Sequence, residues 1–176
     1  MGFTPLPFAI FAALVLGAFA RLNASTTQVD DLADLCQNAE RICEVEVLAK
    51  DFVRLADGAI ETRYTFATLL PIKGSMGAIQ EVRLPGGAIA GRGLAIPGMP
   101  NFEVGERHIL FLSAADAKQW RMPVGLDAGA FQVRNGATAK QAQVVGAASC
   151  CDETAHREHV ESYDQFVQRI FDELHR

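Results

Sequence analysis

Apolar and polar residues alternate with a period of two along most of the chain and switch to helical spacing only near its two ends. Val29, Leu32, Ala33, Leu35 and Cys36 repeat at helical steps, predicting a short helix with Asp30 or Asp31 in its first turn. From Ile42 the period changes to two: Cys43, Val45 and Val47 alternate with Glu44, Glu46 and Leu48, as in a half-buried strand whose glutamates face solvent. Asp57-Gly58 is a hairpin signal. After it Ile60, Thr62, Tyr64 and Phe66 alternate with Glu61, Arg63 and Thr65, until Pro71 and Lys73-Gly74-Ser75 end the strand. A third strand ends at Pro85 with Val82 and Leu84 inward, and the continuously apolar His108 to Leu112 is expected to be the most buried. Residues 119–126, 130–135 and 140–145 supply three more short candidates. Val160, Tyr163, Val167, Ile170 and Leu174 then mark one face of an amphipathic helix spanning about 154–175, with Asp152 or Thr154 as its cap. Short strands separated by turn residues predict a mainly β domain, a small barrel or sandwich, with one helix at each end.

One stretch interrupts this pattern. Leu84 to Ser113 holds six glycines and three prolines before it enters the apolar strand. A phosphate-binding loop needs converging backbone N–H groups followed at once by a helix. Here prolines and a strand follow, and no Gly-Lys-Ser or Gly-Lys-Thr occurs, so a nucleotide cradle is excluded and no cofactor is expected. Turn chemistry accounts for the prolines and glycines, and residues 86–98 are expected as a long loop or a glycine-bent edge strand.

The apolar run Pro5 to Ala20 is short for a bilayer span and is followed by small residues at cleavage-compatible positions, so residues 1–24 are expected to be a signal peptide. Residues 25–176 then form one domain, secreted or periplasmic, with no stable membrane insertion after cleavage. The segment 1–24 holds one base, Arg21, and no acid. Its removal from 16 basic and 21 acidic residues leaves 15 against 21, a net −6. With no Lys/Arg cluster, nucleic acid is not an expected partner.

Cysteines occur as two pairs, Cys36/Cys43 and Cys150/Cys151. Export permits oxidation, and bridging the adjacent pair would strain a small ring. Early-to-late pairing is therefore favoured, with the connectivity left open. Cys150 and Cys151 with His156 and His159 also form a possible zinc set, although adjacent cysteines poorly fit a tetrahedron.

The segment from Cys36 to Phe131 resembles a domain of exported bacterial proteins. The resemblance is carried by CEVEVLAKD, LLPIKGS, PGG, PGMPNFEVGERHILFL and VGLDAGAFQV. The order of its first strands, with Lys73-Gly74 after the second, is also similar to netrin-like modules and tissue metalloprotease inhibitors. That similarity implies an OB-like barrel, closed or partly open, flanked by disulfides and a C-terminal helix. In those inhibitors a cysteine at the mature N-terminus reaches the protease zinc. Cys36 lies more than ten residues beyond either cleavage point, so that route is not expected here.

For catalysis, His108, Ser113 and Asp116 are the residues to assemble. On an extended strand, positions 108 and 113 stand roughly 15 Å apart and point to opposite faces. No catalytic residue is assigned. The reading that follows is an exported interaction or accessory module, inhibitor-like, that binds another exported protein through residues 86–102. Arg92, Met99, Asn101 and Trp120 are its candidate surface. A small hydrolase with a loop-built site is the competing class, and a metal-binding module a further one.

Overall fold

The computed structural model describes residues 32–135, 142–146 and 159–176; the expected signal peptide lies outside them. Helix α1 (Leu32–Asn38) leads into β1 (Arg41–Arg54), which pairs with β2 (Ile60–Lys73) in a long antiparallel ribbon. The Asp57-Gly58 turn closes it as expected: Gly58 sits at φ +86°, and the Asp57 carboxylate accepts from the Ala59 N–H at 3.0 Å. There follow β3 (Ile79–Pro85), β4 (Gly87–Ile89), β5 (Arg92–Leu94), β6 (Arg107–Leu112), β7 (Ala130–Arg134), β8 (Gln143–Gly146), β9 (His159–Ser162) and α2 (Tyr163–Leu174). The main sheet is antiparallel in the order β3-β2-β1-β6-β7-β8-β9, and β4-β5 forms a separate hairpin.

The chain is thus mainly β with two helices, but the sheet is open. Among the described residues β3 and β9 occupy opposite edges, and no hydrogen-bonded closure joins them. Curvature takes the place of closure. The β1–β2 register slips at Ile42/Cys43, Glu44/Val45 and Val47/Ala49, and such irregularities bend and twist a ribbon. Side chains from β1, β2, β3 and β6 meet in one interior: Cys43, Val45, Val47, Tyr64, Phe66, Val82, Leu84, Leu110 and Leu112, with Phe102 from the loop before β6. Phe66 and Phe102 are fully buried there, each worth about 2 kcal/mol of apolar burial. The opposite face of β1 and β6 carries Ile42, Ile109 and Phe111, which pack with Val133, Val144 and both helices in a second core. Two cores on two faces explain why the central strands are buried on both sides.

Several expectations shift. Pro71 does not end β2; it pairs with Cys43 at a register slip, beyond the Ala67–Ile79 pair where β3 begins. There β2 is an edge, so the missing N–H breaks no ladder. Residues 119–126 form a loop with a single bridge, Leu112–Pro123, rather than a strand. The C-terminal helix begins at Tyr163, because Ser162 is its N-cap and accepts from the Gln165 N–H, while Gln165 reaches back to the Ser162 hydroxyl. Val160 belongs instead to β9, paired with Val145. Among the described residues no helix is long and apolar enough to cross a membrane.

Candidate functional site

The glycine-rich stretch folds into the β4–β5 hairpin. Its two-residue turn places Ala90 at φ +49° and Gly91 at φ +76°, the left-handed pair that a tight hairpin requires. Leading into it, Gly87 sits at φ +126° against the β1–β2 ribbon. A Cβ there would lie 2.6 Å from Phe52 Cδ1 and 2.7 Å from Thr62 Oγ1, so only glycine lets the chain pass this close. Thr62 holds the crossing by donating its buried hydroxyl to the Gly86 carbonyl at 2.9 Å.

Between the hairpin, the ribbon and the 95–101 segment lies a cleft of about 490 Å³. Tyr64 and Leu84, buried at its base, are shared with the first core, while Phe52 and Leu94 are half-exposed at its rim. Ile96, Met99, Pro100 and Asn101 line the remaining side. The volume falls in the range of sites that receive a small molecule or a large apolar side chain.

One polar cluster borders the cleft. Lys50 Nζ donates to Asn101 Oδ1 at 2.8 Å and Glu103 Oε1 at 2.7 Å, and stands 5.9 and 6.0 Å from the ring centres of Phe52 and Tyr64. Lys50 and Asn101 hold the Glu103 carboxyl below its ordinary pKa. The Phe102 N–H donates to the Tyr64 hydroxyl at 3.5 Å, and burial pushes that phenol's pKa up. These bonds fix the 99–103 segment over the ribbon.

Of the candidate surface residues, Met99 and Asn101 line the cleft, and Arg92 stands at the hairpin beside it. Trp120 lies elsewhere. Its indole N–H donates to Glu61 Oε2 at 3.0 Å, and Glu61 points to the face of β2 opposite Thr62. Burial alone would raise the Glu61 pKa, but the bonds from Trp120 and from Arg63 at 2.5 Å hold it below the ordinary value. Trp120 therefore fastens the 113–122 loop to the ribbon. Phe52, Thr62, Tyr64, Leu84 and Pro85 are the cleft residues that the sequence reading leaves out.

The hydrolase set does not assemble. His108 is buried with Nε2 3.0 Å from Glu106 Oε2 and its ring edge-on to Phe102, while its Nδ1 has no partner. Burial holds its pKa below the ordinary value against the pull of Glu106. Ser113 Oγ donates to the Ala114 carbonyl and accepts from the Met122 N–H. Asp116 accepts from the N–H groups of Lys118 and Trp120. The three share no partner.

Glu44, expected at the solvent face, is buried. Arg107 donates to one carboxylate oxygen and the Tyr163 hydroxyl to the other, at 2.7 Å for the latter. Burial first, and then the Glu44 charge, push the Tyr163 pKa up. This pair ties α2 to the sheet. Glu106 accepts from Gln132 and the Glu103 N–H.

Cys36 and Cys43 are buried, neither is bridged to another cysteine among the described residues, and burial raises their thiol pKa values to about 11. They sit in different cores. Cys150, Cys151 and His156 lie outside the described residues, and of His159 only its place in β9 is described, so the early-to-late disulfides and the zinc set fall outside the described structure. Comparison with family models, curated proteins and solved structures finds no match to this chain.

Proposed function

We propose that the protein is an exported, non-catalytic interaction module that binds another exported protein through the cleft beside the β4–β5 hairpin. The carrying observation is the cleft itself: an apolar recess with half-exposed Phe52 and Leu94 at its rim, formed by the glycine-rich stretch. Apolar anchors seated in such recesses dominate protein interfaces. The scattering of His108, Ser113 and Asp116 supports a binding role over hydrolysis. The shared interior of β1, β2, β3 and β6 supports an OB-like relationship, with a bent ribbon doing what barrel closure does in that fold.

A photo-crosslinking residue placed at Leu94 tests the reading against the same residue at Leu69, which is similarly exposed on β2. A discrete adduct with one exported protein from position 94, absent from position 69, is expected. Equal labelling from both positions, or none from either, overturns the cleft as the interface. Fractionation of the producing cell tests export, and protein confined to the cytoplasm overturns that part.

A further inference from the structure

β4 lies against the β1–β2 ribbon, while among the described residues the outer edge of β5 carries no strand. β5 pairs only with β4 among the described residues. The register pairs Gly87 with Leu94, Ala88 with Gly93 and Ile89 with Arg92. In a hairpin with a two-residue turn, hydrogen-bonded pairs alternate with non-bonded ones, starting from the pair that flanks the turn. Arg92 and Leu94 therefore bond to β4, and the N–H and C=O of Gly93 point outward. Gly93 has no side chain to screen them, and it lines the cleft.

Charge adds a second condition. Arg92 lies next to Gly93, and Arg54 follows Phe52 by two residues on the same face of β1. Both are exposed, and among the described residues neither forms an ion pair or a side-chain hydrogen bond, whereas Arg41, Arg63, Arg83, Arg107, Arg121, Arg169 and Arg176 each meet a carboxylate. Two exposed guanidinium groups thus lack a carboxylate partner, one two residues beyond Phe52 on β1 and one beside Gly93 on β5.

We propose that the partner contributes an extended acidic segment that pairs with the outer edge of β5. It would seat one apolar side chain in the cleft and offer its carboxylates to Arg54 and Arg92. This assignment rests on the reading of the cleft as a protein-binding surface. Strand addition of this kind takes affinity from the backbone bonds and specificity from alternate side chains. Arginine suits the flanking positions because its planar fork meets a carboxylate with two parallel bonds.

The probe is the acetylated, amidated pentapeptide Glu-Val-Leu-Val-Glu, titrated into the full chain and followed at the amide resonances of Gly86, Gly87 and Gly93. Three controls accompany it: Lys-Val-Leu-Val-Lys, Glu-Val-Gly-Val-Glu, and the first peptide N-methylated along its pairing side. The acidic peptide is expected to bind about tenfold or more tightly than each control. In the R54E/R92E double variant the preference between acidic and basic peptides should reverse. Ala95→Trp, at an exposed lining position, should block binding without touching the core. Equal binding of all peptides, unchanged preference after charge reversal, or shifts confined to resonances away from the cleft each overturn the proposal. If the peptide preference fails while the Leu94 photo-adduct persists, the acidic strand is wrong and the cleft reading stands. If both fail, the cleft is not the interface.

Discussion

Replacing Gly87 by alanine tests whether the cleft depends on a chain crossing that only glycine allows. Two penalties add. The backbone at φ +126° is a conformation that L-residues rarely adopt, which costs about 1–3 kcal/mol. The new Cβ would also stand 2.6 Å from Phe52 Cδ1 and 2.7 Å from Thr62 Oγ1. The Phe52 ring is 44% exposed and can swing away. Thr62 is 5% exposed and anchored to the Gly86 carbonyl, so relieving the second contact breaks a buried hydrogen bond, at about 1–3 kcal/mol. The sum is about 2–6 kcal/mol. Gly91→Ala is the matched control: its φ is +76°, nothing lies within 4 Å of the added Cβ, and it should lose only about 1–2 kcal/mol. Urea denaturation followed by far-ultraviolet circular dichroism reads the difference. With a slope near 2 kcal/mol per molar, a loss of about 3 kcal/mol moves the midpoint by about 1.5 M. Midpoints for the two variants within about 0.2 M of each other would refute the close-approach argument.

Three further outcomes are expected. Glu44→Ala leaves Arg107 and the Tyr163 hydroxyl without their buried carboxylate and should lose about 3–5 kcal/mol, against about 1 kcal/mol for Tyr163→Phe; urea midpoints that do not separate the two would remove the network from the account of how α2 docks. The buried neutral His108 has a folded pKa below its unfolded value, so the unfolded chain takes up the proton first as pH falls. Stability should therefore decline from about pH 6.5 downward, until the folded imidazole protonates, and His108→Gln should flatten that portion of the profile. With their pKa values near 11 and their side chains buried, Cys36 and Cys43 of reduced protein should resist iodoacetamide at pH 8 and alkylate fully in urea, as read by mass; rapid native labelling at either position would contradict their burial.

Strand content was legible wherever local pattern and final environment agree. His108 to Leu112 is apolar without a break because β6 has a core on each face, and Asp57-Gly58 marks its hairpin because the turn needs a left-handed residue. Glu44 misled for the opposite reason: it alternates like a solvent-facing residue, and only α2 and Arg107, distant in sequence, turn that face inward. The start of α2 was readable after all. Ser162 and Gln165 stand at capping-box spacing, while apolar periodicity alone runs on to Val160, which belongs to a strand. The cleft was half visible: Leu84, Met99 and Asn101 lie in the glycine-rich stretch, but Phe52, Thr62 and Tyr64 come from the ribbon that this stretch crosses. Trp120 drew notice as an aromatic anchor and anchors its own loop instead.

The placement of two cores on the two sides of β1 divides the molecule's cooperativity. Residues 42–45 serve both cores, whereas from Ala49 onward the backbone of β1 pairs with β2 alone among the described strands. Opening of the ribbon's distal half would leave the helix-covered half folded, so backbone amides should exchange with solvent in two tiers, Phe52 and its neighbours ahead of Ile42 and Ile109. The binding end could then loosen and re-form around a partner without drawing on the stability of the rest.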